Sequence, residues 1–588
     1  MKRNFDPIRL EVIRNALYSV SDEMSAALVR TAYSTNIKDR RDCSSAVFLV
    51  SGEVAAQSEI GTPLHLGVMP AVVQTVLGRF SLSDLHPGDD IIVNQPYPAG
   101  PGHLNDITLV SPVYWKRRLV ALTANQAHHV DVGGYAPGSM PFGVTEIFQE
   151  GLQIPPVKIV KSNVVDEEIA ALISDNVRTK SEFRGDLLAQ VACNNVGEKR
   201  LVELVDKYGP DDFLRYIKEI LNYSERLMRE GIRRIPDGSY SFEDFIEGDS
   251  ITDARIKIAV TVRVQGDEVT ADFTGSSPQV QGPLNCRPAS TAACVFYVMK
   301  CIVDPGLPPN SGAYRPIHII APAGSILNAQ YPASTVHSNI ITTHRVVDTL
   351  LGAFIQAVPE RVMAAHHGTQ NMLNIGGLNP RTGKLYSYVE TYGGGQGAFH
   401  NQDGMDGVHS HMTNTRNAPV EVIEAAYPLR IESYGLVPDS EGPGRYRGGV
   451  GMQRAFTFLA PESTITCSSD RNEISPWGVF GGRAASPARC LIRDQDGQEH
   501  RLPSKITRRV VAGEGFRTVT SGGGGWGPPA ERDPEKVRWD VLEGLVSLER
   551  ASSEYKVVID RESYEIDWEK TRDLRSAQQA DGKRTTGK

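Results

Sequence analysis

In the run Gly102-His103-Leu104-Asn105-Asp106, an imidazole and a carboxylate stand three positions apart, where a Pro/Gly-rich loop gives way to an apolar run. Further along, His128 and His129 follow one another. Imidazole nitrogens and carboxylate oxygens suit Zn, Mn or Fe(II), and such an ion with an open coordination position lowers the pKa of water towards neutrality. The bland reading is a polar turn, with His103 and Asp106 capping a strand entry and the paired histidines as loop residues. Spacing leaves both readings open, because H-x-x-D is a weaker signature than H-E-x-x-H. Asp42, in Asp39-Arg40-Arg41-Asp42-Cys43, is either a further ligand or an arginine's ion-pair partner, and Cys43 reads as a small half-buried residue rather than a nucleophile. A second grouping, Val408-His409-Ser410-His411, puts two histidines on one face of an extended segment, with Asp406 the nearby carboxylate. Its alternative is a hydrogen-bonded loop.

These groups need elements to hold them. Residues 107–115 and 118–127 read as two strands joined at Lys116-Arg117. If Trp115 faces Arg118 and the ladder is regular, Asp106 faces Ala127 and Asn105 faces His128. That register puts His129 and Asp131 on the Asp106 face, and His103 with His128 on the other. All of these groups fall at one end of the ladder, and either His128 or His129 completes the site. His366, His367 and His400 also lie in or beside Gly-rich loops, where binding groups concentrate on a rigid scaffold.

Ahead of the hairpin, apolar residues at helical spacing from Ile8 to Leu28, with Asp6 as N-cap and Pro7 at the first helical position, predict a helix over 7–32. Strands around 46–50 and 53–57, joined by a tight turn at Gly52, and a helix over 67–80 come next. Helices are expected at 164–184, 186–207 and 211–231, and strands over 238–275. Helices recur at 287–303 and 344–358, followed by glycine- and histidine-rich loop over 390–417 and short strands from about residue 428. The expectation is a multidomain α+β fold. Its parts are a metal-bearing N-terminal α+β domain (1–235), a middle α/β domain with Gly/His-rich loops (236–427), a β-rich domain (428–530), and a helical segment ending in a disordered tail (531–588).

The 588 residues, 40% hydrophobic and 22% charged, allow cores of useful size, and the net charge of −8 offers no basic face for nucleic acid. The 7 cysteines are scattered and contain no C-x-x-C, which fits a reducing, cytoplasmic setting without disulfides or a structural zinc module. No apolar run is long enough for a membrane span. The glycine runs at 392–397 and 521–527 lack the G-x-x-x-x-G-K-[ST] pattern of a phosphate loop, and no G-x-S-x-G elbow is present.

Long stretches in order carry a resemblance: DPIRLEVIRNAL, RTAYSTNIKDRRDCSSAVF, PLHLGVMP, HHVDVGGYAPGSMP, TEIFQEGLQIPPVKI, RGDLLAQVACNNVGEKRL, VHSHMTNTRNAPVEVIEAAYPLRI, GPGRYRGGVGMQR and GGGGWG. Over nearly its whole length the chain resembles the hydantoinase B / 5-oxoprolinase family. The resemblance implies the B-type subunit of an ATP-dependent enzyme, with ATP and Mg on a separate hydantoinase A-type subunit in a hetero-oligomer such as A2B2. It implies a divalent metal (Zn, Mn or Fe) on His103, Asp106 and His128 or His129, with Asp42 a weaker candidate. It also implies a small cyclic amide as substrate, with His409 or His411 moving protons. Many relatives read N-D-P-Y-x-G-G-x-H-L-P-D where this chain has NQPYPAGPGHLND, so Gln95 and Asn105 depart from the pattern while His103 and Asp106 are kept. Within the family the alternative activity is ATP-dependent ketone carboxylation, of the acetone or acetophenone carboxylase kind. A scaffold for the A-type subunit is the non-enzymatic alternative.

Overall fold

The computed structural model describes residues 5–585. Its first helix, Pro7–Thr31, begins where the Asp6 side chain accepts from the Ile8 amide, and it buries Ile13, Leu17, Val20, Met24 and Leu28. It packs with the long helix Lys180–Tyr208 against a seven-stranded sheet. The strand order is Val54–Gln57, Cys43–Phe48, Arg118–His128, Asp106–Trp115, Asp90–Val93, Val157–Lys161, Val164–Val165. Alternation divides this sheet between two cores. Cys43, Val47, Ala121 and Ala127 face the two helices just named, while Ala46, Phe48, Val110, Leu122 and Ala124 face the helix His65–Arg79.

The hairpin is not a regular ladder. Trp115 pairs with Arg118 and Tyr114 with Leu119, but Val113 pairs with Ala121, leaving Val120 as the extra residue of a β-bulge. Beyond the bulge the register is shifted by one, so Asp106 pairs with His128, not Ala127. A shift of one residue flips every side chain to the other face. Asp106 and His128 therefore share the face that meets helix His65–Arg79, and His129 faces away. This corrects the face assignment expected from a regular hairpin.

A second, four-stranded sheet (Gly238–Ile246, Ile256–Gln265, Glu268–Asp272, Ile317–Ile320) is packed by helices Pro288–Val303 and Thr343–Phe354. Helix His65–Arg79 crosses onto Pro288–Val303 at Gly67, where a Cβ would meet the Ala293 amide at 2.6 Å. A π-helical turn, Ser338–Thr342, runs directly into Thr343–Phe354. Two further sheets share one core through Leu373, Ile375, Tyr388, Phe456, Ile465 and Phe516. One is built from Met372–Asn379, Lys384–Thr391, Glu462–Ser468 and Lys505–Val511. The other contains Leu429–Leu436, Met452–Phe458, Gly515–Val519, Arg489–Arg493 and Glu499–Leu502.

The change from helix to strand expected near residue 235 falls between Pro210–Ile232 and Gly238–Ile246. At 427/428 no break exists, because Met372–Asn379 pairs with Glu462–Ser468 across that position. Helices Pro534–Leu542, Leu548–Ser553 and Trp568–Thr585 follow, the first two with their own small core. The last helix extends into the tail expected to be disordered, of which residues 586–588 lie outside the described residues. Among the described residues, no helix is long and apolar enough to cross a membrane.

Candidate metal centre

Asp106 opens its strand and His128 closes the partner strand, so the cross-strand pair sets their side chains next to one another. His103 turns in from the loop before the strand. Its Nδ1 meets the Val336 carbonyl at 3.1 Å, which places a proton on Nδ1 and turns Nε2 towards Asp106 and His128. That Nε2 lies 3.1 Å from Asp106 Oδ1 and 3.1 Å from His128 Nδ1, and the last two atoms are 3.3 Å apart. Ligands about 2.0–2.1 Å from a shared ion sit about 2.9 Å apart at right angles and about 3.4 Å apart at tetrahedral angles. The observed triangle has the edges of three ligands of one ion. All three residues are buried, and together they could hold a metal ion.

The surroundings orient this triangle. Asn339, in the π-helical turn, donates through Nδ2 to Asp106 Oδ2 at 3.3 Å. Gly102 is in contact with Asn339, in space that a Cβ would fill. Asn36 Nδ2 donates to the His128 carbonyl at 2.6 Å, and the His128 amide donates to the Asp42 carbonyl at 3.1 Å. Burial works against the Asp106 carboxylate. The His103 charge and hydrogen bonds from His103 and His128 outweigh it, holding the group well below the usual carboxylate range. For His103, burial favours the neutral ring, and Asp106 together with the Val336 carbonyl reverses this and raises it.

The triangle borders a cavity of about 20 Å³, room for a water or an ion, lined also by Arg40, Asp42, His65 and Thr62. Asp42 lies on its wall, with Thr62 Oγ1 at 3.5 Å from Oδ1, outside the tight triangle. His65, at the start of its helix, holds Nδ1 2.7 Å from Ser44 Oγ and Nε2 3.9 Å from Asp106 Oδ2. Burial keeps it neutral by lowering its pKa. Sequence reasoning passed over His65. Its position at a predicted helix start beside the Ser44 strand was the available signal.

His129, one of the two alternatives, is placed elsewhere. Its Nε2 bonds Gln190 Oε1 at 2.9 Å on the opposite face, against helix Lys180–Tyr208, and burial lowers its pKa. His409 and His411 are both absent from the cavity wall. His411 instead joins Asp348 and His366 in a second buried group, with His344 beside it. His409 is half-buried with both ring nitrogens enclosed, and that desolvation lowers its pKa to about 3.

A two-faced sheet that presents a His–Asp–His triangle to a small cavity defines a candidate metalloenzyme. Residues 6–529 match the family model described as Hydantoinase B/oxoprolinase, and the chain belongs to that family. It is 39% identical to an uncharacterized protein of Methanocaldococcus jannaschii, over 97% of this chain and 100% of the relative. It is 35% identical to the B-type subunit of a putative D-/L-hydantoinase of Pseudomonas sp. (strain NS671), over 97% of this chain and 98% of that one. The crystal structure of the ATP-dependent caprolactamase from Pseudomonas jessenii superposes with a TM-score of 0.91 at 31% identity, covering 98% of this chain and 100% of that one.

Proposed function

We propose that the chain is the B-type subunit of an ATP-dependent cyclic amide hydrolase. On this reading, a hydantoinase A-type partner consumes ATP with Mg and phosphorylates the amide oxygen; on this chain water adds to the activated carbon, phosphate leaves, and the ring C–N bond breaks as the nitrogen takes up a proton. The observation that carries the reading is the convergence of His103 Nε2, His128 Nδ1 and Asp106 Oδ1 beside a small cavity. Relatives named as a B-type hydantoinase chain and an ATP-dependent caprolactamase support the substrate class.

His103, Asp106 and His128 would hold the divalent ion. When bound, it supplies Lewis acidity and lowers the pKa of water. His65, kept neutral by burial, takes a proton at Nε2 from the attacking water. Ser44 Oγ fixes the far side of that ring. Arg40 lines the cavity, bound through Nη1 to the Val389 carbonyl and through Nη2 to Thr391 Oγ1, while its Nε has no hydrogen-bond partner among the described residues. Its fixed charge stabilises the anion of the activated amide. Asn339 holds Asp106 in place through its Nδ2.

The test combines the chain, its A-type partner, Mg-ATP and a panel of hydantoins, 5-oxoproline and lactams. Ring-opened product in step with ADP is expected. ATP hydrolysis with no ring opened, or carboxylation of a ketone by bicarbonate in the same mixture, would overturn the assignment.

A further inference from the structure

Helix Thr343–Phe354 sets His344 and Asp348 one turn apart on one face, and the loop after it brings in His366. His366 Nδ1 lies 2.9 Å from Asp348 Oδ1, and its Nε2 lies 3.1 Å from His344 Nδ1. From a third segment, His411 turns Nε2 towards the same Asp348 Oδ1 at 3.9 Å. That distance is too long for a hydrogen bond, and His411 Nε2 has no hydrogen-bond partner among the described residues, although the residue is only 5% exposed.

We infer that Asp348, His366 and His411 form a second metal site, for a divalent ion of the zinc class, distinct from the centre at His103, Asp106 and His128. Two ligands bonded at about 2.0–2.1 Å are separated by about 2.9 Å at a right angle and about 4.1 Å in line. The pairs at 2.9 and 3.9 Å fall inside that window, and binding draws the three donors in from a span of no more than 4.8 Å.

The far atom of each ligand has an outer partner, as metal ligands require. With its proton on Nε2, His366 donates to His344 Nδ1 and offers the Nδ1 lone pair to the ion. His411 Nδ1 meets the Tyr297 hydroxyl at 3.3 Å. Arg471 Nη2 donates to Asp348 Oδ2 at 2.8 Å, which leaves Oδ1 for the ion. Two imidazoles with one carboxylate favour Zn, Co or Fe over Mg or Ca. His411 itself sits at φ 61, a left-handed conformation that a non-glycine residue holds only where its surroundings impose it.

The same three segments also serve the first centre. Asn339 precedes His344 on the helical run, Gln370 follows His366 in the loop, and Thr413 follows His411, and all three line the first cavity. An ion at Asp348 therefore ties together the elements that form that cavity's far wall.

Anomalous diffraction at the zinc edge from crystals of the full chain, equilibrated with micromolar Zn²⁺, tests this directly. Peaks are expected at both groups. A peak among His103, Asp106 and His128 alone overturns the second site and leaves the first intact. A peak at Asp348 alone supports the second site and sinks the first, and no peak at either group sinks both. Zinc counting after equilibrium dialysis gives an independent check, with His411→Gln losing one of two bound ions and His128→Ala the other. Retention of both ions by His411→Gln contradicts the inference.

Discussion

The bulged hairpin assigns opposite roles to two adjacent histidines, and paired substitutions separate them. His129→Ala removes the donor to Gln190 Oε1 on the helix face. An unsatisfied buried acceptor costs about 1–3 kcal/mol. The void left beside Phe183 is roughly 60 Å³, and at about 24 cal/mol per Å³ it adds about 1.5 kcal/mol. His129 Nδ1 is itself unpartnered among the described residues, so removing it returns part of that loss. The net expectation is a destabilisation of about 2–3 kcal/mol with the metal content unchanged. His128→Ala deletes one corner of the triangle and loses the ion at that centre. Chemical denaturation gives the first number, and elemental analysis of zinc, manganese and iron reads the second. A His129→Ala variant that loses the ion while His128→Ala keeps it refutes the register argument and the site built on it.

Other consequences follow from the same geometry. Gly102→Ala pushes Asn339 off Asp106 and is expected to weaken metal binding about 10–100-fold, read by competition with a chelating dye. Burial lifts the Glu150 carboxyl to about 7, against the pull of Ser334 Oγ and the Thr335 and Val336 amides. The native chain therefore keeps a proton that the unfolded chain loses above about 4.5, and stability falls as pH rises from there to about 7. The loss is at most about 3 kcal/mol, and thermal midpoints across that range are expected to flatten in Glu150→Gln. Asp244→Ala strips one partner each from Arg345 and Arg471, both fully buried. Arg345 keeps Asp470 and Arg471 keeps Asp348, so the cost lies near the low end for a broken buried pair, about 3 kcal/mol by denaturant unfolding.

Local chemistry made much of this legible in the sequence. The first helix was readable from Asp6-Pro7 and its apolar spacing, and the hairpin from its two apolar runs. His103 and Asp106 were readable as a unit because three residues of chain hold them together. The choice between His128 and His129 was not, since it turns on one extra residue at Val120, and a run of apolar strand residues carries no mark of a bulge. The partners from farther away escaped for a different reason. Asn339 reaches Asp106 across 233 positions, and His411 meets Asp348 only once two distant segments of the middle section fold together. Of that second group, His366 and His411 stood out by their Gly-rich loops, whereas His344 and Asp348 sit inside an apolar helix that marks them only as core-facing. The third sheet crosses residue 427 because its strands pair through tertiary contacts, which a change in composition at that point does not reveal.

The most direct measurement follows ring opening by the chain with its A-type partner, through removal and return of the ion. The complex is stripped with a chelator, freed of it, and assayed with fresh Mg-ATP so that only the tightly held ion is missing. Ring opening should fall to background and return with Zn, Mn or Fe in the wild-type complex, but not in Asp106→Asn. Full ring opening by the stripped complex, or by Asp106→Asn, would contradict the account.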